Sequence, residues 1–251
     1  MDDILKSRFV HKSDPGSDDF VYRLPDCWWS RIYEYEWSRN FCRENDVVLD
    51  AACGLEHPLK FYLLDHCREC YACDLDDRLI DRDVMAKLCA EAWTGSDEPF
   101  PDRYLDAIHY EKASLSAMPY EDALFDRVFC ISVLEHLKDR FNQWPILRAF
   151  APLLPHVRRD IRDSLIEFKR VLRPDGLIVL TFDFPRINLG YLSSVVAEVG
   201  LRFAGEVDFE LPFDAIRNTE KDLFCFRAVL THAEAVAQTG EGTLTVSRKA
   251  A

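Results

Sequence analysis

Glycine is scarce in this sequence, 9 in 251 residues, and nowhere do three fall close together as a dinucleotide fold needs to seat a pyrophosphate on a helix N-terminus. Long apolar runs are missing as well; none approaches the ~20 residues required to cross a bilayer as a helix. The opening Met1-Asp2-Asp3 has no basic region followed by an apolar one, so no secretory leader is read and a cytoplasmic protein is expected. Basic charge is in deficit: 31 Lys and Arg stand against 44 Asp and Glu, a net of -13, which repels nucleic-acid phosphates and anionic membrane faces. A small-molecule, sugar or protein substrate is favoured, with no nucleic-acid or membrane partner; the oligomeric state is left open.

Cysteine, by contrast, is abundant at 9, and odd in number. Cys130 and Cys225 sit inside apolar, strand-like runs, which reads as free buried thiols rather than a disulfide framework. Cys67, Cys70 and Cys73 have the regular spacing of half a metal site, but no matching second half follows. Alternation from Cys70 through Ala72 to Asp74 fits a strand entering the core.

The organisation is that of one α/β domain with additions. Residues 1–20 are polar with a Pro15-Gly16 turn and are expected to be a loose start. From Pro25, the residues Trp28, Trp29, Ile32, Tyr33, Tyr35, Trp37 and Phe41 recur at helical steps behind a capping Asp26. Residues 1–44 are therefore expected to be an N-terminal segment whose aromatic helix covers the site. Strands follow at Val47–Leu49, Cys70–Asp74, Leu105–Tyr110, Val128–Ser132 and Leu177–Phe182, with helical stretches at 57–66, 78–92, 133–138 and 157–172. This alternation predicts a doubly wound, mostly parallel sheet over residues 45–231 with helices on both faces. The stretches 201–209 and 222–230, with Leu211-Pro212 between them, predict an antiparallel hairpin at its edge. Residues 232–251, small and polar, are expected to be a flexible tail. The loops 94–103 and 141–155 are longer than an α/β unit requires and are candidates for substrate walls.

In such a sheet the ligand crevice lies at the carboxyl ends of the strands. The first buried strand delivers Asp50-Ala51-Ala52-Cys53-Gly54-Leu55-Glu56, where small residues admit a close ligand and Gly54 can take a positive φ. The second ends in Asp74, twenty residues beyond Gly54, suited to accept both ribose hydroxyls, with Leu75 next to it. Each acid has a plain alternative as a loop cap. Glu56 beside the loop would repel a pyrophosphate and tolerates a sulfonium or ammonium, so a cationic nucleoside cofactor is favoured over a nicotinamide one.

The run Val48-Leu49-Asp50-Ala51-Ala52-Cys53-Gly54, then Asp74, Ser114 to Tyr120, Phe125 to Val128, Val133 to Leu137 and Arg170 to Gly176, resembles class I S-adenosylmethionine-dependent methyltransferases over about residues 45–183. The resemblance implies a seven-stranded sheet with the last strand antiparallel. It implies that Asp50, Ala52, Cys53 and Gly54 surround the methionine part of S-adenosyl-L-methionine, that Asp74 meets the ribose with Leu75 beside it among the cofactor-binding residues, that Ser114 and Leu115 meet the adenine, and that Ile131 and Ser132 reach the cofactor from the fourth buried strand. Ala52 and Glu56 stand where the family commonly has glycine, and Ser114 where an Asp often binds the adenine amine. Arg31, on the helix just before the first buried strand, is a candidate for the methionine carboxylate, with an ordinary surface arginine as the alternative.

Methyl transfer is an in-line displacement that asks mainly for alignment and exclusion of water. If a base is needed, His136 is the candidate catalytic residue, with Glu135 and Asp183 behind it. Some ubiquinone-pathway relatives bind a divalent metal through a second acid three residues before the Glu of Glu-His; that position is Ser132 here, and no metal is expected. Trp28, Trp37, Trp144 and Tyr191 either line an acceptor pocket or belong to the core. Methyl transfer to a small molecule or glycan is thus the leading reading, ahead of a non-catalytic cofactor-binding protein and, disfavoured by its glycines, a nicotinamide oxidoreductase.

Overall fold

The structure is a computed structural model that describes residues 3–93, 98–137 and 155–233. Within these, nine strands form one mixed sheet, two more than the seven expected. They are β1 (Arg8–Phe9), β2 (Val47–Ala51), β3 (Glu69–Asp74), β4 (His109–Lys112), β5 (Phe125–Ile131), β6 (Leu172–Phe184), β7 (Leu201–Phe203), β8 (Arg217–Asn218) and β9 (Leu223–His232). The order is β1-β9-β6-β5-β2-β3-β4, with β7 and β8 also on β9. The pairings β2–β3, β2–β5, β3–β4 and β5–β6 are parallel, and β9 lies antiparallel to β6. The doubly wound sheet with an antiparallel final strand is therefore present, and the extra strands are short pieces that β9 collects on its other side.

β2 forms because Val47, Val48 and Leu49 are β-branched or bulky and find cover on both faces. Val47, Leu49 and Ala51 pack into one core, with Leu165 and Phe168 of α4 (Pro155–Val171) and Leu192 of α5 (Leu189–Glu198). Val48 packs into the other, against Tyr35 of α1 (Arg31–Ser38), Phe61 of α2 (Leu59–His66) and Met85 of α3 (Arg82–Ala92). The chain runs outward from β2 through β3 to β4 and then returns to the opposite side of β2 with β5. The winding reverses between β2 and β5, which is where a crevice opens.

Several boundaries differ from expectation. Residues 3–20 are not a loose start: β1 pairs with β9, and Arg8 holds Asp3 and Asp14 at 2.8 Å each. Such a buried guanidinium fixes a chain whose polar composition suggests freedom, because tertiary ion pairing does not register in local pattern. The aromatic helix begins at Arg31 rather than after Asp26, and no side chain caps it. Leu105 belongs to a helical turn at Arg103–Asp106, and the third strand starts only at His109. The expected helix at 133–138 is a tight turn as far as Leu137. Helix α5, which the sequence reading left unassigned, starts on an Asn188 side chain that accepts from the Tyr191 N–H at 2.8 Å. Residues 141–154 of the loop carrying Trp144, residues 94–97 of the other long loop, and the tail from 234 onward lie outside the described residues. Among the described residues no helix is long and apolar enough to cross a membrane.

Candidate functional site

A cavity of about 410 Å³ opens at the reversal point, over the carboxyl ends of β2, β3 and β5. Every residue expected to meet the cofactor lines it: Arg31, Asp50, Ala52, Cys53, Gly54, Asp74, Leu75, Ser114, Leu115 and Ile131. His136 lines it too, on the exposed turn after β5. Tyr35, His57 and Ala113 share the wall and were not anticipated.

The loop after β2 is shaped by three left-handed or close-approach requirements. Ala52 has φ 56° and Gly54 φ 62°. The first is an unusual conformation for a residue with a Cβ; glycine is common at this position in the resembling family, and it would sit there without strain. At Gly54 a Cβ would lie 2.4 Å from His57 Cδ2, so the glycine is needed for space as well as for φ. His57 is held from two sides. Trp28 stacks on it with ring centres 4.1 Å apart, and the Tyr35 hydroxyl lies 2.8 Å from its Nδ1. Burial, with the nearby charges of Arg31 and Lys60, holds the imidazole well below its usual range and keeps it neutral at pH 7.

Lys60, on α2 and fully buried, lies under the same loop. Its ammonium donates to the carbonyls of His57 at 2.6 Å, Gly54 at 3.2 Å and Cys53 at 3.4 Å. From the sequence Lys60 is one lysine in a helical stretch; only the path of the loop makes it a clamp.

The two acids behave differently. Asp74 accepts from the Gly54 N–H at 3.0 Å and the Asp76 N–H at 3.1 Å, one bond on each oxygen. It thus caps both loops while each oxygen keeps acceptor capacity toward the cavity. Asp50 is 3 % exposed and its Oδ2 has no hydrogen-bond partner among the described residues. Burial pushes its pKa up to about 7, against the lowering influence of the Lys60 charge, and the neighbouring Asp74 raises it further.

Helix α1 is fastened over these strand ends by Glu34, a fully buried carboxylate absent from the sequence reading. Glu34 pairs with Arg31 and accepts from Ser132 Oγ at 2.6 Å and Cys225 Sγ at 3.2 Å. Burial works against the Arg31 charge, but Glu34 outweighs it and raises the guanidinium above its ordinary value. Arg31 Nε remains buried without a partner among the described residues. Ser132 turns the chain at φ 49° and is tied to β6 by its N–H on the Thr181 carbonyl at 2.9 Å. Ser114 and Ser116 bond to each other at 3.1 Å in the turn after β4.

The nine cysteines are all free, and Cys70 and Cys73 are packed in β3 as expected of core thiols. Among the described residues no cluster of three or more His, Cys, Asp or Glu could hold a metal. Trp37 is core at 6 % exposed, and Tyr191 packs at the core's margin.

Comparison with known proteins gives a consistent picture. Residues 49–180 match a family described as "Methyltransferase domain". No curated protein matches the chain. The fold is similar to that of the [4+2]-cyclase SpnF, with a TM-score of 0.53 at 11% identity over 88% of each chain. Weaker likenesses include a TehB-like SAM-dependent methyltransferase from Corynebacterium glutamicum ATCC 13032 (TM-score 0.49, 16% identity, 79% of this chain and 86% of the other). Another is a SAM-dependent methyltransferase from Aquifex aeolicus (TM-score 0.48, 16% identity, 80% and 92%).

Proposed function

The chain belongs to the methyltransferase-domain family, and from that premise we propose that it transfers the methyl group of S-adenosyl-L-methionine to a small-molecule acceptor. The observation that supports this reading best is a pair of orphaned, buried polar atoms in one cavity. Asp50 Oδ2 lacks a donor and Arg31 Nε lacks an acceptor. The amino-acid end of this cofactor carries one ammonium and one carboxylate, so it answers both. Asp50 would take the ammonium and Arg31 the carboxylate. Asp74 would accept the ribose hydroxyls with its remaining lone pairs, and Leu75, Ser114 and Leu115 would bracket the adenine.

When bound, the cofactor supplies an electrophilic methyl on a sulfonium. The protein's part is to bind, orient and exclude water. Lys60 and Asp74 fix the loop over which the cofactor lies, and helix α1, within a segment spanning residues 1–44, roofs the cavity. His57, neutral and stacked, adds an uncharged wall that does not repel the sulfonium. The acids Asp50 and Asp74 in the cavity offer a pyrophosphate acceptors where it needs donors, which disfavours the nicotinamide alternative. His136 lines the cavity at its exposed lip, which supports it as a candidate to take a proton from the acceptor.

Calorimetry with S-adenosylmethionine, S-adenosylhomocysteine and NAD tests the reading. Binding of the first two and not the third is expected, with Asp74→Asn weakening both by about tenfold or more, since a charged hydrogen-bond acceptor is worth about 1.5–3 kcal/mol. NAD binding without S-adenosylmethionine binding would reject it.

A further inference from the structure

Beside the cofactor cavity lies a second recess of about 250 Å³, whose wall shares Arg31, His57, Ser132 and His136 with the first. It is smaller than the roughly 300–1,000 Å³ that holds a drug-sized ligand. Its remaining polar lining sorts by charge. Glu135 and Asp183 come from the ends of β5 and β6, and Arg186 and Lys221 from the loops beyond.

Glu135 is the unexplained group. It is 1 % exposed and, among the described residues, its Oε1 accepts only the Asp183 N–H at 3.3 Å and its Oε2 has no partner. A buried carboxyl beside a second carboxyl is unfavourable unless something cationic or proton-bearing joins them. The nearby Arg31 eases both acids through its charge, but it is paired with Glu34 and no hydrogen bond joins it to either acid among the described residues. Arg186 and Lys221 line the same recess and form no salt bridge within 4 Å among the described residues, although the Arg186 charge reaches Asp183 and works against its raised pKa. The recess therefore offers an unpartnered oxygen of Glu135 beside a second acid, Asp183, facing two cations that close no salt bridge among the described residues.

Resting on the methyltransferase reading above, we propose that this recess binds the methyl acceptor and that the acceptor is a small zwitterion, an amine held by Glu135 and Asp183 with an anionic end held by Arg186 and Lys221. The amine enters as an ammonium and gives one proton to a carboxylate of the acidic pair. Its freed lone pair forms the N–C bond to the sulfonium methyl as the C–S bonding pair passes to sulfur, leaving an N-methyl ammonium and S-adenosylhomocysteine. Burial, then the neighbouring Asp183, raises Glu135 to about 8, closer to an amine than an ordinary carboxylate and so better matched to that proton. Burial and the charge of Glu34 also raise Asp183.

The test uses the full chain. S-adenosylmethionine and S-adenosylhomocysteine affinities are measured first. β-Alanine and 2-aminoethylphosphonate are then titrated into the S-adenosylhomocysteine complex beside propylamine and propionate, and N-methyl products are sought by mass spectrometry with S-adenosylmethionine. A zwitterion binding at least about tenfold tighter than either single-charge probe, and gaining a methyl on nitrogen, is expected. The two zwitterions decide whether the anionic end is a carboxylate or a phosphonate-like group. Glu135→Gln is expected to weaken zwitterion binding about tenfold while cofactor affinity stays unchanged. Arg186→Met, at a half-buried loop position, should bring the zwitterion down to the level of propylamine and serves if Glu135→Gln does not fold. Cofactor binding with no preference for zwitterions overturns the proposal alone; failure to bind the cofactor overturns the methyltransferase reading and this proposal together.

Discussion

Substituting Gly54 by Ala tests the architecture of the loop most directly. Two costs add. The left-handed φ of 62° penalises a Cβ by about 1–2 kcal/mol. The new methyl also falls 2.4 Å from His57 Cδ2 and 3.3 Å from its Cγ. His57 cannot swing aside, because Trp28 lies flat on it, 10° from parallel, and Tyr35 holds its Nδ1. Overpacking of this kind costs about 1–3 kcal/mol. The sum is about 2–5 kcal/mol, a fall in Tm of at least ~4 °C for a chain of this size. Thermal and urea unfolding of wild type, Gly54→Ala, His57→Ala and the double variant form a cycle. The steric part should vanish in the double variant, giving a coupling of about 1–3 kcal/mol, while the φ part persists. Cofactor affinity should follow the same pattern. A Gly54→Ala protein as stable as wild type, or a cycle that closes with no coupling, would refute the proposed seat of His57 against the loop.

Four further outcomes are expected. Asp50 and Glu135 keep their protons in the folded state up to about pH 7 and 8, whereas unfolded carboxyls ionise near 4, so the ligand-free protein should lose stability as pH rises from about 4 to 8; Asp50→Asn and Glu135→Gln should each flatten that slope in urea melts at several pH values. Ala52→Gly relieves a φ of 56° at some entropic cost and should be neutral or stabilising by up to about 1 kcal/mol; a clear loss of stability would contradict the strain. Lys60→Met leaves three loop carbonyls without their donor and should destabilise by on the order of 3 kcal/mol, with a weaker cofactor complex by calorimetry. Arg31→Met strands the buried Glu34 charge, so denaturation should show a loss of about 3–5 kcal/mol together with weakened cofactor binding, whereas Arg31→Met paired with Glu34→Gln should recover much of the stability and little of the affinity.

What could be read in advance followed from period and order. β2 and β3 announce themselves by β-branched residues and alternation, and Gly54 and Asp74 by their separation after a buried strand. The residues that sequence reasoning missed act through contacts remote in the chain. Glu34 is one acid in a helix until Ser132 and Cys225 are brought to it, 98 and 191 residues away. Lys60 resembles any helical lysine until the loop folds back over it. The opening residues misled for the same reason: Asp3 and Asp14 look like solvated charge, but Arg8 and Arg227 lie 2.8 and 2.9 Å from Asp3. The two additional strands beyond the expected seven are two residues long, too short for any periodicity to betray.

The Glu34 anchor also bears on how such enzymes diversify. The family match spans residues 49–180, so α1 and Cys225 both lie outside it and, of the two positions that hold Glu34, only Ser132 falls within. A new roof cannot simply be grafted on, because a foreign helix would arrive without the acid that Ser132 and Cys225 expect. Chimeras that exchange residues 1–44 should therefore fold well only when the grafted segment and the two receiving positions, Ser132 and Cys225, travel as a set.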